Sequence, residues 1–162
     1  MKRELLTGML AGAAGTTALN ATTYLDMAVR GRPPSTTPEH TVRKVEEIIG
    51  ASLSSEGPDS QPAEGRRSGI GALLGIAVGV GTGAVYGLLR PRLRKVPLAL
   101  LCLGTAAGAN VGPVLPMVAL GVTDPREWTL GSWISDLLPH LAYGVVTAAA
   151  FEAMYDTRIA FR

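Results

Sequence analysis

Apolar residues run along this chain in four long stretches, and they do not alternate as they would in strands. The stretches cover about Leu5 to Met27, Ile70 to Leu89, Pro97 to Val122 and about Trp133 to Met154. Crossing about 30 Å of hydrocarbon takes about 20 helical residues, so each is long enough to span a bilayer as a helix. The second and third are nearly free of polar side chains. The first carries Asn20 and Asp26, and the fourth carries Asp136, His140 and Glu152. The pattern predicts an all-α, polytopic membrane protein with four transmembrane helices in a single membrane domain over residues 1–162. The start "MKRELLTGMLAGAAG" also has the basic-then-apolar order of a secretory signal. The small triplet Ala11-Gly12-Ala13 comes too early for cleavage, however, and no acceptable site follows Asn20, so a retained helix is expected.

Between the first two stretches the period changes. "TPEHTVRKVEEIIG" has Thr37 as N-cap, Pro38 at the first helical position, Glu39 in the first turn and Gly50 as terminator. Val42, Val45 and Ile49 share one face. A short amphipathic helix over about 38–49 is expected, lying on the membrane interface or covering the bundle. The following "SSEGPDSQPAEGRRS" offers too little apolar surface to order itself, so about 52–68 is expected to be a flexible linker.

Inside the apolar runs the glycines are periodic. "GALLGIAVGVGTGAVYG" places Gly71, Gly75, Gly79, Gly83 and Gly87 four apart, and the third run repeats the spacing with Gly104, Gly108 and Gly112. Glycine costs a water-exposed helix roughly 1 kcal/mol against Ala. In lipid, where apolar contact alone does not drive helices together, small residues four apart let backbones approach closely. The stripes therefore predict a glycine-zipper interface, either between the second and third spans of one chain or also between copies.

Composition agrees with a membrane setting. Charged residues make up 17% of the chain, hydrophobic residues 47% and aromatics 5%, with mean hydropathy +0.26; soluble domains carry about 25% charged residues. Cys102 is the one cysteine, so neither an intramolecular disulfide nor a cysteine metal site is expected. The net charge of +2 is small, and the basic residues gather at the ends of apolar runs, which speaks for topology and against nucleic acid. Arg outnumbers Lys twelve to three, as in bacteria with GC-rich genomes. The short loop holding Arg90, Arg92, Arg94 and Lys95 has no acid and is expected to be cytoplasmic. With Lys2 and Arg3 also inside, four crossings return the tail "DTRIAFR" to the cytoplasm of a bacterial plasma membrane. Arg30, Arg32, Arg66 and Arg67 then lie outside, in a long loop whose six acids weaken its pull on orientation.

Polar groups within the runs are the candidate site. Counted from the cytoplasm at 1.5 Å per residue, Asn20 lies about 22 Å deep and Asn110 about 20 Å, and His140 sits about 10 Å in from the outer side. Asn20, Asn110 and His140 are therefore expected to meet in the outer half of the membrane. Asp136 stands at i−4 from His140, and Tyr143 and Thr147 continue its stripe. Pro113 and Pro116 are expected to break or bend the third span beside Asn110. Such a cluster locks helices together by hydrogen bonds or, in a second reading, lines a path for a small solute or ion. Asp136 and His140 alone provide too few ligands for a metal and no catalytic set, and no phosphate-binding loop is present. No enzyme activity, cofactor or metal is therefore expected. Glu152 and Asp156 are expected at the cytoplasmic end, in the headgroup region or paired with the Arg90–Lys95 cluster.

The segment "GVTDPREWTLGSWISDLLPHLAYG" resembles the last third of the uncharacterised YagU-type bacterial inner-membrane proteins. Gly121, Thr123, Pro125, Trp133, Asp136 and His140 carry the resemblance over about 30 residues, and Pro139 stands where a small residue is expected. The start "TTALNATTYLDMAVRGRPPSTTPEHTV" resembles small hypothetical membrane proteins of actinobacteria. Both resemblances imply a multi-span inner-membrane protein and neither implies an activity. The expected function is a small structural or accessory membrane protein whose partners are the lipid bilayer and a second copy or another membrane protein.

Overall fold

The computed structural model describes residues 1–160, with side chains as far as Tyr155. All regular structure among these residues is helical: α1 (Lys2–Arg30), α2 (Thr37–Ile49), α3 (Gln61–Leu89), α4 (Leu98–Ala119) and α5 (Leu130–Ala160), with short 3-10 turns at Arg90–Arg92 and Pro125–Glu127. Three helical segments are long and apolar enough to cross a membrane: Gln61–Arg92, Leu98–Ala119 and Leu130–Tyr155. The helix α1, expected as the first span, has the length but not the apolarity. Thr16, Thr17, Asn20, Thr22 and Thr23 dilute its second half.

The four long helices form a bundle in which α1 lies between α3 and α5, and α5 lies between α1 and α4. Contacts along α1 and α5 descend in opposite order: Arg3 reaches Tyr155, and Asp26 reaches Ser135. The two helices are therefore antiparallel. The same holds for α1 with α3, and for α4 with α5, where Gly144 meets Cys102 and Asp136 meets Asn110. The apolar core sits at one end, around Ala11, Tyr86, Leu101, Ala148 and Phe151. Tyr86 meets the Phe151 ring edge-on, Phe151 stacks on Tyr155, and the Arg3 guanidinium lies over the Tyr155 ring. Elsewhere large apolar side chains face outward, among them Leu73, Leu74 and Ile76 on α3, Leu100, Leu103 and Leu115 on α4, and Leu137, Leu138 and Val145 on α5.

The glycine stripe of α3 is an interface, but its partner is α1. A Cβ on Gly83 would overlap the Gly12 backbone and the Gly8 carbonyl; one on Gly87 would overlap the Glu4 carbonyl; one on Gly79 would overlap the Thr16 hydroxyl. From the other side, a Cβ on Gly12 would lie 2.6 Å from the Gly79 carbonyl oxygen. Glycine on both faces is what lets the two backbones touch. Gly71 instead meets Pro38 of α2, and Gly75 faces open space. The second stripe differs more from expectation. Gly104, Gly108 and Gly112 have nothing within 4 Å of where a Cβ would stand. It is the row Leu101, Thr105 and Ala109 that α4 buries instead, and Gly144 of α5 packs against Cys102 and Ala106.

Two local expectations also shift. The helix α2 starts one residue early, with Thr36 at the N-cap and Pro38 in the first turn, and it ends at Gly50 in the left-handed conformation (φ 65°) that glycine adopts without strain. The stretch expected to be linker over 52–68 belongs half to α3, which begins at Gln61 with the Ser60 hydroxyl accepting from the Ala63 amide. Its ordered part is tied down by charge. Arg67 is buried against Glu46 of α2 (Nε to Oε2 2.5 Å) and also donates to the Pro58 carbonyl, while Glu46 accepts from the Leu53 amide. The helix α4 runs through Pro113 and Pro116 without a break, so the carbonyls one turn earlier lack their usual donors.

Candidate functional site

The expected cluster forms in part. Antiparallel packing of α4 on α5 brings Asn110 to Asp136 and His140 one turn apart. The Asn110 amide donates to the Asp136 carboxylate, and its nitrogen lies 3.2 Å from His140 Nδ1. His140 Nδ1 is in turn 2.7 Å from the Asp136 backbone carbonyl oxygen and 3.7 Å from Asp136 Oδ1. An Nδ1–H donated to that carbonyl satisfies the helical i−4 geometry and leaves Nε2 with its lone pair. All three side chains are partly buried.

Asn20 and Tyr143 do not join them. Asn20 lies on the outward face of α1, exposed and without a hydrogen bond among the described residues. The depth count put it at the right level; the rotation of α1, set by Gly8, Gly12 and Gly15 facing inward, turned it away. Tyr143 is fully buried, and its hydroxyl donates to the Gly79 carbonyl of α3 at 2.6 Å. It therefore pins α5 to α3 at the edge of the glycine zipper. Thr147, one turn further, is also fully buried, with its side chain against Gly15 of α1.

Charged groups collect at the two ends of the bundle. At one end Arg90 grips Glu152 through two nitrogens (2.5 and 3.0 Å), and the Tyr86 hydroxyl donates to the same carboxylate at 3.2 Å. The expected pairing of Glu152 with the Arg90–Lys95 loop is therefore present through Arg90; the Asp156 side chain lies outside the described residues. Arg92 donates to the Leu88 carbonyl and caps α3, while Arg94 and Lys95 are exposed. At the other end Asp26 accepts from Arg30 (2.6 and 2.7 Å), Arg32 (2.5 Å) and the Ser135 hydroxyl (3.3 Å), joining the end of α1 to the start of α5. Beside it Trp128 and Trp133 meet edge to face, and the Trp128 indole donates to Thr123.

Two shallow clefts open next to α2. One of about 450 Å³ includes Arg43, Glu46, Asp59 and Arg67, and one of about 200 Å³ includes His40, Arg43, Lys44 and Gly121. Their like and unlike charges are mixed, and among the described residues no group of three or more His, Cys, Asp or Glu is placed to hold a metal ion.

Sequence reasoning missed two packing contacts. The small residues of α1 were legible as Gly8 and Gly12 four apart, but they were not assigned a partner. The ion pair of Glu46 with Arg67 joins residues 21 apart in a segment expected to be disordered. No family model, curated protein or solved structure matches the chain.

The cluster itself predicts a measurable stability effect. Asp136→Leu leaves the partly buried Asn110 amide without its carboxylate and is expected to lower stability by about 1–3 kcal/mol. His140→Leu removes the imidazole hydrogen bond to the Asp136 carbonyl and is expected to cost about 1 kcal/mol. Thermal unfolding of the purified variants in detergent compares them. Equal midpoints for Asp136→Leu and wild type would deny the cluster a packing role.

Proposed function

We propose that this chain is a small structural or accessory protein of a bacterial plasma membrane, crossing it four times through α1, α3, α4 and α5, with both termini in the cytoplasm. The observation that carries this reading is the spacing of its charged levels. Asp26 stands 22 positions from Glu4 along α1, about 33 Å of helix; Arg67 to Arg90 is 23 positions, about 35 Å; Asp136 to Glu152 is 16 positions, about 24 Å. These bracket the roughly 30 Å of a bilayer's hydrocarbon. From Leu5 to Leu25, Ser68 to Leu89, Val96 to Thr123 and Leu137 to Phe151 there is no Asp, Glu, Lys or Arg. Between the levels α3, α4 and α5 turn large apolar side chains outward, among them Leu73, Leu74, Leu100, Leu103, Leu115, Leu138 and Val145, and a large exposed apolar surface marks a membrane or protein contact.

The charge-free interior is the argument for including α1, which is less apolar than the other three. It has 21 consecutive uncharged residues, and the face that carries Gly8, Gly12 and Gly15 packs against α3 and α5. The acid-free loop with Arg90, Arg92, Arg94 and Lys95 argues for its own end being cytoplasmic, and the paired Trp128 and Trp133 suit the opposite interface. Convergent polar groups, which a permeation path would want, are divided here between the α4–α5 contact and the α3–α5 contact. That division favours the packing role.

A cysteine placed at exposed Ser55, in a Cys102→Ser background, tests the arrangement. It is expected to react with a membrane-impermeant maleimide on intact cells. Labelling only after lysis would reverse the orientation, and recovery of the protein from lysed cells in detergent-free buffer would end the membrane reading.

A further inference from the structure

The two ends of the bundle balance their charges differently. At the end where α1 begins and α3 turns into α4, Glu4 is paired with the Met1 amine and Glu152 with Arg90. No other described side chain at that end is acidic. Lys2, Arg94 and Lys95 are exposed there and make no hydrogen bond or ion pair among the described residues. Arg92 is exposed as well and donates to the Leu88 carbonyl at 3.1 Å. The contact of Gly87 with the Glu4 carbonyl, and of Arg3 with the Tyr155 ring, puts Lys2 at the level of the 90–97 connection. At the opposite end the cations have acids beside them: Arg30 and Arg32 share Asp26, Lys44 pairs with Glu47, and Arg67 with Glu46.

We propose that this end binds anionic phospholipid headgroups, with Lys2, Arg92, Arg94 and Lys95 facing the phosphates. The inference rests on the membrane reading, because it requires α3 and α4 to stand in a bilayer; both are long and apolar enough to do so. The connection between them is tight. It is a 3-10 turn over Arg90–Arg92, followed by bonds from the Leu93 amide to the Arg90 carbonyl and from the Val96 amide to the Leu93 carbonyl, both 3.0 Å. Its cations are therefore crowded at one level, where they repel one another until an anion sits among them. Lys and Arg gathered beside a membrane span are drawn to an anionic leaflet, and the attraction adds over the cluster. Arg also matches a phosphate with its planar fork. The neighbouring apolar side chains decide the kind of anion. Leu89, Leu93 and Leu98 are exposed by 46%, 37% and 48%, so cations stand beside an apolar ring as phosphates stand beside acyl chains. An acidic protein or a nucleic acid would match the cations and leave those leucines against water.

The test reconstitutes the protein in vesicles of equimolar phosphatidylglycerol and phosphatidylcholine with matched acyl chains, then counts retained lipids by native mass spectrometry in mild detergent. Wild type is expected to retain phosphatidylglycerol over phosphatidylcholine by about tenfold at low salt. The preference is expected to vanish in about 1 M salt, where the screening length falls to about 3 Å. Lys2→Gln/Arg94→Gln/Lys95→Gln is expected to cut the preference to about twofold. Its thermal midpoint is expected to match wild type, because these three side chains bond to nothing in the described chain. Arg43→Gln/Lys44→Gln/Arg126→Gln removes the same charge from the opposite end and is expected to keep the preference. Equal retention of both lipids by wild type, or an undiminished preference in the first variant, overturns the proposal. An equal loss in the second variant also overturns it, by assigning the preference to net charge. A chain that does not float with vesicles of phosphatidylcholine alone overturns the membrane reading, whereas one that floats with them and shows no preference overturns the lipid site only.

Discussion

Gly83→Leu is expected to separate α1 from α3 and to destabilise the protein by about 3 kcal/mol, near the upper end for forced overpacking. The reason is that nothing soft lies in the way of the new side chain. The Gly12 backbone and the Gly8 carbonyl occupy the position of its Cβ, and main chain cannot rotate aside as a side chain can. The same substitution at Gly108 is expected to be silent within about 0.5 kcal/mol, because a Cβ there meets nothing within 4 Å. Both glycines stand in equally regular four-residue stripes, so the pair separates stripe from interface. Thermal unfolding in detergent, followed by the loss of helical circular dichroism, measures both. A tolerated Gly83→Leu would remove the zipper from the account of this fold.

The second large effect is expected at the tie between α2 and α3. Arg67→Met removes the partner of buried Glu46 and the donor to the Pro58 carbonyl together, and Glu46 in turn holds the Leu53 amide. Losing them frees the loop over residues 50–60. Cleavage there by a protease is expected to quicken about tenfold or more, since cleavage follows the population of the opened segment. The long helices α1, α3, α4 and α5 are expected to stay intact. Acid is expected to act on the same tie. Hydrogen bonding to Arg67, helped by the Leu53 amide and opposed by burial, holds the Glu46 carboxyl below its ordinary value of about 4.5. A carboxylate whose pKa is depressed by folding stabilises the folded form above its unfolded pKa and loses that contribution as pH falls through the folded one. The loop is therefore expected to stay protected from neutral pH down to about 4.5 and to open below it. Acid opening at the same pH in wild type and Arg67→Met would separate Glu46 from the effect.

How much of this was readable beforehand differs by feature. The helical stretches were legible because each holds a long charge-free run with charges near its ends, a one-dimensional property that needs no partner. The amphipathic α2 and its Gly50 stop were legible because capping is local. The pairing of Asn110 with Asp136 and His140 followed from depth alone, because α4 and α5 are joined by a short connection and must lie antiparallel. Asn20 failed the same argument. Depth says how far along a helix a residue sits, but only packing says which way it points.

The sequence by itself determined, then, that the chain is helical, where its apolar segments begin and end, and that glycine faces would bring helices into close contact. Tertiary structure alone decided which faces those are. Two glycine stripes of the same period competed, and the choice fell to α1 against α3 because α1 has Gly8 and Gly12 facing one neighbour while Ala11 and Gly15 face the other. On helix α4 it is Cys102 and Ala106, beside the buried Leu101, Thr105 and Ala109, that pack against Gly144 instead. Close packing requires small residues on both surfaces at once, and that is a property of a pair of helices which neither sequence segment contains.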